Sequence, residues 1–143
     1  MNHLLTAPLL LATLAAAQPP PGTPQVKAAV MTETQLLPLL TGEVLILGSE
    51  FPGRLFQKTV LERLKVGTLR VRVLTGKDSL AYFAPVQQAG GVVRAFPGRI
   101  TGAVAVAGGS LIVARGNGYQ VVSGPGVAAS VQSQFESAWR FAK

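Results

Sequence analysis

Side chains able to carry polar chemistry are few in this chain and unevenly placed. The only histidine is His3 and there is no cysteine, which excludes a thiolate metal site and a disulfide framework and leaves Ser49, Ser110 and Ser123 without a histidine base. The six carboxylates are scattered. Glu50 and Asp78 fall at strand or loop ends and are the best candidates for paired acid–base work, but their positions suit loop solvation and helix capping better. The cations are more informative. Arg99 and Arg115 bracket most of the stretch FPGRITGAVAVAGGSLIVARGNG, Phe96 to Gly118, with Asn117 between two glycines near its end. A guanidinium fork binds phosphate or carboxylate oxygens, so Arg99, Arg115 and Asn117 are candidate anion-binding residues. For Asn117 a turn position is the better reading. Nothing in the stretch can cleave an anion. Its glycines lack a phosphate-loop Lys-Ser/Thr ending and precede no helix, so they read as turn residues. No cofactor motif and no metal-ligand spacing appears.

With 143 residues, 48% of them hydrophobic, the chain can build one core and one domain. Its 13 Lys and Arg against 6 Asp and Glu give a net charge of +7. That charge attracts nucleic acid, anionic lipid or acidic polysaccharide, or it keeps an apolar protein soluble. No run of Lys or Arg concentrates it.

Residues 1–17, MNHLLTAPLLLATLAAA, carry an apolar run from Leu4 ending in three alanines, the form of a signal peptide cleaved before Gln18. The run falls short of the roughly 20 residues that span a bilayer, and no cysteine follows for lipid attachment. Residues 18–25, QPPPGTPQ, form a Pro-rich extended spacer, and residues 26–143 form the domain. The expected location is secreted or periplasmic, with an uncleaved anchor as the alternative.

Within the domain, VKAAVMT reads as a short strand, TETQLLPLL as a short helix limited by Pro38, and EVLILGS as a strand buried on both faces. Phe56, Val60 and Leu64 recur four apart, which makes Pro52 to Val66 an amphipathic helix. TLRVRVLTG is a strand with Leu69, Val71 and Val73 on one face and Arg70 and Arg72 on the other. DSLAYFAPVQQAGG reads as a helix capped by Asp78 or Ser79, and VVRAF as the next strand. This alternation predicts an α/β domain with a mixed, mostly parallel sheet flanked by helices. ITGAVAV and SLIVAR flank Gly108-Gly109 as a hairpin, YQVVS adds a strand, and a helix opening at Pro125 presents Val127, Val131, Phe135 and Trp139 as a stripe.

The order of these pieces resembles the phospholipase D superfamily, in the layout of its exported single-domain endonucleases. EVLILGS, GTLRVRVLTG and VQQAGGVVRAF stand where that family has its successive strands. PGVAASVQSQFESAWRFA is similar to its final helix, with Phe135 and Trp139 at the Phe-x-x-x-Trp positions. The family's catalytic hairpin carries His-x-Lys, four residues and Asp-Gly, then Gly-Ser-x-Asn further on. Laid on this sequence, the histidine place is Ile100, the lysine place Gly102, the aspartate place Ala107, and Arg115-Gly116-Asn117 takes the Ser-x-Asn place. The resemblance implies a phosphohistidine mechanism with phosphate-holding lysines and a site completed by a homodimer. The residues that would perform it are absent.

The expectation is therefore an exported, catalytically degenerate phospholipase D-like protein, not expected to be an active enzyme for want of His, Lys and Asp, with no cofactor and no metal. It is expected to form a homodimer with the vestigial hairpins facing and to bind a polyanion, either nucleic acid or an anionic lipid surface, or an envelope partner. Two alternatives stand beside this: an active phosphodiesterase with a non-standard site, and a structural interaction subunit. Export is checked by mass spectrometry of the natural product, whose expected first residue is Gln18 or a near neighbour. An intact Met1 in a soluble cytoplasmic protein would overturn the signal-peptide reading.

Overall fold

The computed structural model describes residues 27–116, 118–124 and 126–143. The expected signal peptide, the Pro-rich stretch, Val26, Asn117 and Pro125 lie outside the described residues. The elements in chain order are β1 (Lys27–Met31), α1 (Glu33–Leu36), β2 (Gly42–Gly48), α2 (Arg54–Lys65), β3 (Leu69–Gly76), α3 (Ala84–Gln88), β4 (Val92–Phe96), β5 (Ala103–Ala107), β6 (Ser110–Arg115), β7 (Gly118–Ser123) and α4 (Val127–Trp139). The seven strands form one sheet in the order β1-β7-β6-β5-β2-β3-β4.

The sheet is mixed, but it is mostly antiparallel, which corrects the expectation of a mostly parallel one. Only β2–β3 and β3–β4 run parallel; β2–β5, β5–β6, β6–β7 and β1–β7 are antiparallel. Connection length decides the difference. The connections that carry α2 and α3, residues 49–68 and 77–91, are long enough for crossovers, whereas Gly108-Gly109 joins β5 to β6 in a turn that can only reverse the chain. Both glycines have positive φ, 58° and 78°, as the first-choice two-residue hairpin turn requires. The connection from Arg115 to Gly118, which pair directly, is equally short.

Two further expectations shift at their boundaries. The stretch after β3 begins with a 3-10 turn over Lys77–Ser79, and regular helix starts only at Ala84, with Pro85 in its first turn. Pro85 has no N–H to continue a helix from upstream, so it starts one there. The strand expected from Ile100 begins at Ala103, because Pro97, Gly98 and the positive φ of Gly102, 85°, keep the preceding residues in a loop.

Strand alternation builds a core on each face of the sheet. On one face Val44, Ile46, Val71, Val73, Ala105 and Ile112 pack against Leu36 of α1, Phe56, Val60 and Leu64 of α2, and Val86 of α3. On the other, Leu45, Leu74, Val106, Leu111 and Val122 pack against the stripe Val127, Val131, Phe135 and Trp139 of α4. The two helical stripes are those read from the sequence. The N-terminus of α2 is capped by a distant residue, since Gly53 offers no side chain there. Glu33 Oε2 accepts from Leu55 N at 2.9 Å and Phe56 N at 3.3 Å, so a carboxylate meets the positive end of the helix. A Cβ on Gly53 would collide with the Tyr119 hydroxyl. Burial, with Glu33 nearby, raises the Tyr119 phenol above its usual range.

Among the described residues α4 is the only helix on its face, and it is held by charge as well as by packing. Arg72 on β3 donates from Nη1 to Glu136 Oε1 at 2.9 Å and from Nη2 to Oε2 at 2.6 Å. Its Nε reaches Glu43 Oε2 on β2 at 3.1 Å. The guanidinium also lies 5.4 Å from the Phe135 ring centroid and 5.3 Å from that of Trp139. Arg94 covers Trp139 at 4.4 Å. The Arg72 hydrogen bonds are the largest cause holding the Glu136 carboxyl below the usual carboxylate range. A carboxyl depressed in the folded state adds stability above its unfolded value near 4.3 and loses it as pH falls through the lower folded value. Arg72→Ala is expected to cost about 1–2 kcal/mol, read as a lowered Tm at neutral pH. Below about pH 4 the native protein should lose stability more steeply than the variant; parallel curves in thermal melts from pH 2 to 7 would contradict this linkage.

Candidate functional site

The site is shaped by one loop. Because β4 ends the sheet on one side and β5 lies beyond β3 and β2, the chain leaving Phe96 must cross the carboxyl ends of β3 and β2 to reach Ala103. Its path is fixed by backbone contact. Ser49 N donates to Gly102 O at 2.9 Å, and Gly48 has no room for a Cβ against the Gly102 carbonyl. Gly76, ending β3, lies against the same segment, where a Cβ would be in ordinary contact with Ile100 N at 3.5 Å. The crossing segment Pro97–Gly102 thus becomes a wall above the carboxyl edge of the parallel strands, where open α/β sheets usually place their ligands.

A depression lies on each side of this wall. One is a cleft of about 540 Å3 lined by Ser49, Lys77, Asp78, Ser79 and Arg99. The other is a groove of about 750 Å3 running between α4 and the sheet, with Leu47, Phe96, Val104, Val113, Phe135 and Ala138 among its lining residues. Arg99, Ile100 and Thr101 face both. The groove exists because one helix cannot cover the face. The 13 residues of α4 reach about 20 Å at 1.5 Å per residue, while seven strands span roughly 29 Å at 4.8 Å spacing. Leu47, Val104 and Val113 are consequently only half-buried.

Of the candidate residues, Arg99 and Arg115 are both exposed and both line this groove. Arg115 Nη1 donates to Gln120 Oε1 at 3.1 Å, which orients it on its strand. Glu50 stands on the same groove. Asn117 lies outside the described residues. Ile100, at the family's histidine place, and Gly102, at the lysine place, also line the groove. Ala107, at the aspartate place, does not: it is 1% exposed and belongs to the core on the opposite face. Asp78 and Glu50 are divided between the two depressions. Arg72, one of the paired arginines on β3, belongs to the clamp on α4. Thr75 Oγ1 is buried without a hydrogen-bond partner, but it shares the strand face of Val71 and Val73 and points away from the groove. Lys77 was missed by sequence reasoning. Its signal was its place directly after a strand of the parallel set.

No group of three or more His, Asp or Glu able to hold a metal ion occurs among the described residues. No described helix is long and apolar enough to cross a membrane.

No family model and no curated protein matches the chain by sequence. Solved structures do match in shape. NucT from Helicobacter pylori superposes with a TM-score of 0.60 at 11% identity, over 83% of this chain and 98% of its own. TrmBL2, an archaeal chromatin protein, superposes with a TM-score of 0.60 at 15% identity, over 97% of this chain. This chain spans 57% of the TrmBL2 chain. At such identities the likeness is one of fold, and the fold is phospholipase D-like.

Rebuilding the family's motif on this backbone meets two obstacles. Gly102 has a φ of 85°, where a lysine is strained by about 1–2 kcal/mol. A carboxylate at Ala107 would be buried without a partner, costing several kcal/mol unless it is protonated. The triple variant Ile100→His, Gly102→Lys, Ala107→Asp is expected to melt well below the native protein and to hydrolyse a chromogenic phosphodiester no faster than buffer. Turnover by this variant would show that the three places do converge.

Proposed function

We propose that this is an exported, catalytically silent protein of phospholipase D-like fold that binds a phosphate-bearing polyanion, nucleic acid or an anionic lipid surface, without cleaving it. The observation that carries the reading is the meeting of Arg99 and Arg115 on one groove at the carboxyl edge of the parallel strands, with Lys77 beside Arg99 in the adjoining cleft. Arginine forks there can engage phosphate oxygens. No histidine occurs after His3, so the residues from 27 onward hold neither the nucleophile nor the general acid of the family's mechanism. The likeness to TrmBL2, a protein with a novel mode of DNA binding, supports nucleic acid as the first polyanion to test. A homodimer with the two vestigial hairpins facing remains part of the proposal, since the family's site is completed by a second half.

Binding of residues 18–143 to a DNA duplex, to heparin and to anionic vesicles should weaken steeply between 50 and 200 mM salt. Arg99→Ala and Arg115→Ala are each expected to lower the salt slope on DNA by about 1. Salt-independent attachment to envelope fractions would favour a structural interaction subunit instead. Phosphodiester cleavage by the unmutated protein, abolished by Arg99→Ala or Arg115→Ala, would favour a non-standard phosphodiesterase.

A further inference from the structure

The groove has more apolar surface than an anion site requires. Phosphates of a polyanion can be met by Arg99 and Arg115 at the rim and by Lys77 in the adjoining cleft, yet behind the two arginines the floor and wall are apolar. Val104 and Val113 pair across β5 and β6, Leu47 ends β2, and Ala138 and Phe135 close the side formed by α4. At about 750 Å3 the space falls within the size range of small-molecule sites. It is apolar at one part and cationic at another, which is the arrangement of charge that an amphiphile presents in complement. Glu50 also stands on this groove, so two cations and one carboxylate surround the place of a head group.

Resting on the reading of Arg99 and Arg115 as anion contacts, we infer that the groove binds a single-chain anionic amphiphile of the alkyl phosphate class. Its chain lies between α4 and the β5–β6 face, and its head group sits at Arg99 and Arg115. Arg99 faces both depressions, so a phosphate on the wall can also draw on Lys77, Ser49 and Ser79. The hydrogen bond from Arg115 to Gln120 keeps the second guanidinium at the rim before a ligand arrives. No bond is made or broken: the chain contributes desolvation and the head group contributes charge-assisted hydrogen bonds.

The test uses octyl, decyl, dodecyl and tetradecyl phosphate below their micellar concentrations, with inorganic phosphate and a DNA duplex as separate arms. The readout is calorimetry together with the fluorescence of Trp139, the only tryptophan, which stacks on the groove residue Phe135 at 5.4 Å. One site per chain is expected, with affinity rising roughly two- to fourfold per methylene until the groove is filled. Arg99→Ala with Arg115→Ala should weaken every alkyl phosphate by a similar factor and keep that rise. Ala138→Phe, which fills the groove, and Val113→Asp, which charges its floor, should each flatten it. Affinity independent of chain length, while duplex binding still responds to the arginine variants, would overturn the amphiphile and leave the polyanion reading standing. A chain-length dependence untouched by both groove variants, or binding at many sites, would mark non-specific surfactant uptake and also overturn it. Indifference of both the duplex and the alkyl phosphates to the arginine variants would remove the polyanion reading itself.

Discussion

The Arg72 guanidinium ties the C-terminal helix to two strands of the sheet, at the point where the helix's apolar stripe is also buried. Its two terminal nitrogens grip Glu136, its Nε grips Glu43, and its face rests against Phe135 and Trp139. A planar five-donor cation can do all of this at once, whereas a lysine in its place could satisfy only part of the set. The clamp fixes α4 by charge at the point where its apolar stripe also meets β3 and β4. What remains uncovered beyond the helix is the groove, so the empty space and the ion network are two results of one placement. The side chains involved are only partly buried, so desolvation opposes the attraction less than it would in a dry interior.

A second constraint acts at the carboxyl edge. The strand order forces the residues after β4 to pass over the ends of two neighbouring strands, and two glycines allow the passage. Gly48 gives room for the Gly102 carbonyl, and Gly102 itself turns with a positive φ. The family resemblance places catalytic residues at Ile100 and Gly102. In this chain those places serve the loop's own path, one as a buried apolar anchor and the other as a turn. A glycine rather than a long side chain at Gly102 is consistent with the turn there, because a φ of 85° suits glycine and strains other residues.

How much of this was legible beforehand depended on the range of the interaction. The stripes Phe56-Val60-Leu64 and Val127-Val131-Phe135-Trp139 were plain, since a period of 3.6 is written locally. Gly108-Gly109 announced its turn for the same reason. Strand direction was less accessible: periodicity says that a strand is half-buried or fully buried, not which way its neighbour runs, and the short connections after β5 outweighed the alternation before it. That Arg99 and Arg115 share a groove could be expected from the resemblance, but its apolar depth could not, because it depends on α4 leaving part of the face bare. The role of Arg72 was hidden by its separation of 64 positions from Glu136. Lys77 was overlooked because a single cation after a strand has no local pattern.

The two borders of the sheet are unlike each other. At β4 the last residue folds back, with Lys143 N donating to Ala95 O at 3.0 Å and Ala95 N to Lys143 O at 3.3 Å. At the far side β1 pairs only with β7 among the described residues, and Val30 on it is 82% exposed. Among the described residues β1 thus has a strand on one side only, whereas β4 is engaged beside Ala95 by the backbone of Lys143. Growth by strand addition needs two free borders on every subunit, so the pair at Ala95 works against it at that border.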